Sequence, residues 1–222
     1  MKRLFQQPFA RNLNQPLSAY AQRDIRGFTV LVHREVLSHP AEVREALQEL
    51  EEQIRRVVRV VPSGTLWQLR HVRIWLEWEN KPNGAAEYHP SAEWLREHGY
   101  NPEKARGIEI SNARNFVRWS RGEQPWMLLH ELAHAYHHQV LGYENRMVLI
   151  AYRHAMQRGL YEQVEYIRGG KQKAYATTNV QEYFAELSEA YFGKNDFYPF
   201  TREHLAKHDP VGYKMVEQAW QV

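Results

Sequence analysis

Apolar positions recur along the chain with two different periods, and the switches between them predict the elements. From Pro40 to Val61, the residues Val43, Ala46, Leu47, Leu50, Ile54, Val57, Val58 and Val61 fall on one helical stripe. Charge fills the opposite face and Pro62 ends the run, so a helix covering a sheet is expected. Strict alternation takes over in Phe28, Val30 and Val32 after Gly27, and again in Val72, Ile74, Leu76 and Trp78, which predicts two strands. Gly107-Ile108-Glu109-Ile110-Ser111 predicts a third, short one. Residues 80–106 hold many turn formers and a short helical piece over 92–98.

The second half reads mainly as helix. One run starts at Pro125, where a first helical turn tolerates proline, and Gly142 is placed to stop it. Arg146–Arg158 forms the next and ends at Gly159. Residues 164–168, Gly169-Gly170 and 171–176 predict a hairpin, because paired glycines supply the positive φ of a tight turn. Thr178 with Gln181, or Asn179 with Glu182, has the spacing of a cap opening a helix that Gly193 closes. After a break at Tyr198-Pro199, Pro210–Trp220 predicts a last packed helix. Residues 1–20, polar and carrying Pro8 and Pro16, read as an arm or a disordered lead-in. The fold class expected is α+β, with a small mixed sheet, a covering helix and a mostly helical C-terminal part. Residues 21–222 then form one domain with lobes at 21–142 and 143–222.

Composition narrows the function. The net charge of +3 and pI near 9.0 come without a basic run or stripe, so nucleic acid is not an expected partner. No apolar run approaches membrane-spanning length, and no apolar stretch follows Met1-Lys2-Arg3 to make a signal peptide. The expectation is a soluble protein, cytoplasmic or secreted after removal of a leader. Nothing specifies an oligomer, so a monomer is expected. With no cysteine there are neither disulfides nor thiolate ligands, and any metal must be held by His, Asp or Glu.

The chemistry centres on His130-Glu131-Leu132-Ala133-His134. Residues four apart on a helix share a face, so the two histidines can offer nitrogens to one ion while Glu131 lies beside them. That suits zinc, with Glu131 free to take a proton from a bound water. A catalytic zinc site needs a third protein ligand and leaves one position for water. His137 is one candidate, although three rings spread over seven residues of a straight helix converge poorly, and packing is its plainer role. Glu182 is the better one, since it opens an amphipathic helix and shares a face with Glu186. A helix N-terminus that favours negative charge accounts for Glu182 without a metal, but less readily for Glu186. Glu189, near the same face, reads as solvated.

Together, His130-Glu131-x-x-His134 and the downstream Tyr175-Ala-Thr-Thr178-Asn179-Val-Gln-Glu182-Tyr183-Phe184-Ala185-Glu186 resemble the catalytic domain of anthrax lethal factor and its relatives. Those are gluzincins, in which two histidines and a glutamate hold zinc. The resemblance covers two motifs in the second half of the chain and no motif before them. It implies a zincin-like metallopeptidase fold and one zinc ion per chain, held by His130, His134 and Glu182. It also implies Tyr175 as the hydroxyl that stabilises the transition state, and Glu186 as the carboxylate that orients a ligand histidine, His130. The partner implied is a peptide or protein substrate. In zinc peptidases of this build an edge strand pairs with the substrate, a place the 107–111 strand would fill unless it is purely structural. The toxin's targeting domains have no room here, so a toxin role does not carry over. Two alternatives remain: a zinc-containing binding or structural protein without peptidase activity, and a hydrolase of a non-peptide amide.

Overall fold

A computed structural model of the chain describes residues 13–222. Five strands, β1 (Tyr20–Ile25), β2 (Phe28–His33), β3 (Ile74–Leu76), β4 (Ala86–His89) and β5 (Gly107–Ile110), form a mixed sheet in the order β1-β2-β3-β5-β4. The β1–β2 and β4–β5 pairs are antiparallel and the two central pairs are parallel. A tight turn at Arg26-Gly27, both at positive φ, joins β1 to β2. Because side chains alternate across a strand, the register sorts the residues onto two faces. Val30, Ile74, Ile108 and Tyr88 line the inner face, and Leu31, Trp75, Glu109 and Glu87 the outer.

The helices are α1 (Arg34–Leu37), α2 (Pro40–Val60), α3 (Ser63–Leu69), α4 (Ala92–Glu97), α5 (Ala113–Arg121), α6 (Met127–Tyr136), α7 (Arg146–Gln157), α8 (Val180–Phe192), α9 (Arg202–His208) and α10 (Pro210–Trp220). A two-stranded hairpin, β6 (Val164–Glu165) with β7 (Lys171–Gln172), stands apart from the main sheet. The stripe of α2 buries Ala46, Leu50, Ile54 and Val57 in the same hydrophobic cluster as the inner sheet face. Helix α6 is buried on most sides, through Leu128, Leu129, Leu132, Ala133, Ala135 and Tyr136, and joins that cluster to α8 and α10. Tyr136 stacks on Trp220 with centroids 4.5 Å apart and donates to the Ala219 carbonyl. No helix among the described residues is long and apolar enough to cross a membrane.

The outer face holds charge. Lys104, fully buried, lies 2.7 Å from both Glu77 Oε1 and Glu109 Oε1. Tyr20 donates to Glu77, and His89 Nε2 sits 2.8 Å from Glu109 Oε2. A buried cation shared by two carboxylates compensates the desolvation of all three.

Several expectations are corrected. Strand β1 starts at Tyr20, after a 3-10 turn at Leu17–Ala19, so the expected arm over 1–20 is ordered in part. Residues 1–12 of that arm lie outside the described residues. Strand β5 is not at the edge: it pairs β3 on one side and β4 on the other, and β4, hidden in the 80–106 segment, is the edge strand. Pro125 precedes α6, where its carbonyl accepts from Gln53 Nε2 and Arg56, rather than lying in the first turn. The 171–176 strand is cut to Lys171–Gln172, and Tyr175 opens a 3-10 turn, Tyr175–Thr177. At Gly193 the φ of −156° is extended backbone. That residue is there for space, since a Cβ would run into the Trp126 ring.

Candidate metal centre

Met127, His130, Glu131 and His134 form the stripe of α6 that lines a cleft of ≈ 280 Å³. Their spacing of three, four and seven residues is one face of a helix. The opposite wall is Tyr175 and α8, and the rim is Ala85 to Tyr88 at β4. Of the two caps expected for α8, Asn179 is the one used: its Oδ1 accepts from the Glu182 N–H at 2.8 Å. That cap starts the helix so that Glu182 faces α6.

His130, His134 and Glu182 come together, with ligand atoms close enough to hold one metal ion. Glu182 Oε2 lies 3.0 Å from His130 Nε2 and 3.2 Å from His134 Nε2. A tetrahedral zinc ion with bonds of about 2.0–2.1 Å sets its ligand atoms about 3.3 Å apart, so the donor types and both distances from Glu182 suit that ion. Burial would lower the His130 pKa, but hydrogen bonds to Glu182 and Glu189 outweigh it and hold the ring well above the usual histidine range. Burial would raise the Glu182 carboxyl, but its bonds to His130 and His134 hold it well below the usual carboxylate range.

Glu131 is buried, and its Oε2 accepts the Tyr88 main-chain N–H at 2.8 Å. Burial pushes its carboxyl up against the pull of His130 and His134. Tyr175 lines the cleft with its ring centroid 6.5 Å from that of His130. Burial and the nearby Glu182 raise its phenol further, so the hydroxyl stays protonated and can donate.

The carboxylate that orients His130 is Glu189, not Glu186, and Glu189 is buried rather than solvated. Its Oε1 lies 2.6 Å from His130 Nδ1. The two nitrogens of an imidazole point in diverging directions. A ring that meets Glu182 with Nε2 therefore reaches its second partner two turns along α8, at residue 189, rather than one turn along. Glu186 lies behind, accepting from Asn195 Nδ2 at 3.0 Å, and burial with Asp196 and Glu189 pushes its carboxyl well above the usual range. His137 is fully buried against Phe184 and Tyr143, and is no part of the ligand group.

The sequence places Glu189 on the right face but assigns it to solvent, and it gives no role to Tyr88. For Glu189 a signal was present, because Glu182, Glu186 and Glu189 recur at helical spacing among apolar neighbours. For Tyr88 none was, since its contribution is a backbone N–H. A further grouping of Glu87, His89 and Glu109 is already neutralised by Lys81 and Lys104. Compared with known proteins, the chain matches no family model, no curated protein and no solved structure.

Proposed function

We propose that the chain is a zinc-dependent metallopeptidase of gluzincin type, with a zincin-like fold akin to the catalytic domain of anthrax lethal factor. One observation carries this reading: the His130–His134–Glu182 group opens into a cleft that also holds a carboxylate outside the group, Glu131, and a phenol, Tyr175. A structural zinc site is closed and needs neither. That favours catalysis over a purely structural or binding role.

A zinc ion bound there supplies a Lewis acid that polarises a carbonyl and acidifies a water. Glu131 takes the proton of the attacking water and hands it to the amine as the C–N bond breaks. Tyr175 donates its hydroxyl to the carbonyl oxygen as charge builds there. Glu189 holds His130 with its Nε2 toward Glu182, the orientation in which it would hold the metal. The substrate is an extended peptide laid along the edge strand β4, whose Ala86 to Tyr88 segment borders the cleft.

Digestion of a peptide library with and without a chelator tests the proposal. Cleavage should need the metal, and Glu131→Gln should keep one zinc per chain while losing about 10²–10⁴-fold in rate. Turnover that survives either treatment would overturn the scheme.

A further inference from the structure

Tyr88 is gripped at both ends by a single face of the active helix and its extension. Its main-chain N–H donates to Glu131 Oε2 at 2.8 Å. Its hydroxyl lies 2.8 Å from His138 Nδ1 and 3.1 Å from Gln139 Nε2. The Gln139 amide can only donate, so it takes a lone pair of the hydroxyl, and the single hydroxyl proton goes to His138 Nδ1. Gln139 Nε2 also reaches the Arg106 carbonyl at 3.2 Å, at the turn leading into β5. His138 lies seven residues after Glu131, in a π-turn over His137–Leu141 that prolongs α6. Seven residues of helix rise about 10 Å, a gap the tyrosine bridges with a hydrogen bond at each end.

We propose that Tyr88 is a positioning residue for Glu131: its N–H fixes one carboxylate oxygen, and its hydroxyl, tied to His138 and Gln139, holds β4 at the height that bond requires. The inference rests on the reading of Glu131 as the base of a peptidase. It also says how base and substrate keep their alignment. In an antiparallel pair the N–H and C=O of one residue point to the same side, and residues two apart do likewise. The N–H of Tyr88 is aimed at Glu131, so the Tyr88 carbonyl and both backbone groups of Ala86 face the open edge. Glu131 takes the Tyr88 N–H, and an added peptide strand is left the Ala86 groups and the Tyr88 carbonyl. The same short backbone segment thus carries the anchor of the base and the rail for the substrate.

Two measurements on the full chain test this. The first is a kinetic split. Tyr88→Phe keeps ring and backbone but loses the hydroxyl, and should lower kcat about tenfold while KM stays within about twofold and zinc content is unchanged. His138→Leu should match it, and His138→Gln, which keeps an acceptor, should restore kcat. The second is amide exchange at residue 88 in the metal-loaded protein. Glu131→Ala should speed exchange at least about tenfold, whereas Glu131→Gln, which keeps an acceptor oxygen, should leave it near wild type. Unchanged kcat in Tyr88→Phe, or unchanged exchange in Glu131→Ala, overturns the proposal. If the wild type cleaves no peptide, the peptidase reading fails by itself, and the exchange comparison still decides whether Tyr88 holds Glu131.

Discussion

His130 bridges two carboxylates of one helix, meeting Glu189 Oε1 through Nδ1 at 2.6 Å and Glu182 Oε2 through Nε2 at 3.0 Å. A carboxylate can only accept, so each of these bonds takes a ring proton; a metal would displace the one on Nε2, and the bond to Glu189 would keep the other on Nδ1. The ring is set by a residue outside the His130–His134–Glu182 group.

Glu189→Ala should therefore weaken zinc binding about 10–100-fold, the range seen when such a partner is removed. Glu182→Ala, which deletes a ligand, should cost more. Glu186→Gln should cost least, because that carboxyl is held above its usual range and the amide replaces a protonated group of the same shape. Competition against a chelator of known affinity measures all three, and equal losses would mean the roles are wrongly divided.

Tyr175→Phe separates chemistry from binding. The phenol is the donor assigned to the developing oxyanion, so its loss should lower kcat about 10²-fold with little change in KM. The side chain is 48% exposed, so thermal stability should stay within about 0.5 kcal/mol of wild type. A loss confined to KM would make Tyr175 a substrate contact only.

Acid should weaken the fold through His137. Burial, with the charges of His134 and His138, holds this ring down to about 4, and neither ring nitrogen has a hydrogen-bond partner. The unfolded chain takes up this proton near pH 6.5. Between about pH 6.5 and 4 the unfolded state binds more protons, so stability falls with pH across that window and is flat above it. The full loss from this residue is about 3 kcal/mol. Urea denaturation of the metal-free protein at several pH values should show a shallower slope for His137→Phe, and parallel curves would exclude the residue as a cause.

Lys104→Met should destabilise by about 3–5 kcal/mol, since it leaves Glu77 and Glu109 buried without their shared cation. A double variant, Lys104→Met with Glu109→Gln, should recover part of the loss. Denaturation midpoints give both values, and a neutral single variant would show that solvent reaches the cluster.

How much was legible follows from the range of each signal. Helix α2 and the strand at Phe28–His33 announce themselves through local period, and α10 through Pro210 at its first position. Strands β1 and β4 do not, because Gln22, Arg23 and Asp24 of β1 are exposed on both faces and Glu87 and His89 of β4 meet charge instead of core. Gly193 reads as a helix stop in sequence. Its reason is the Trp126 ring, packed there from the start of α6.

The sequence by itself determined the face of α6 that carries His130 and His134 and narrowed the cap of α8 to Thr178 or Asn179, because three- and four-residue spacing acts within one helical turn. Only the tertiary structure decided which strand borders the cleft, which of Glu186 and Glu189 meets His130, and that the Tyr88 backbone holds Glu131. Those outcomes depend on how α8 and β4 pack against α6. Packing is set by many side chains far apart in sequence, so no local pattern encodes it.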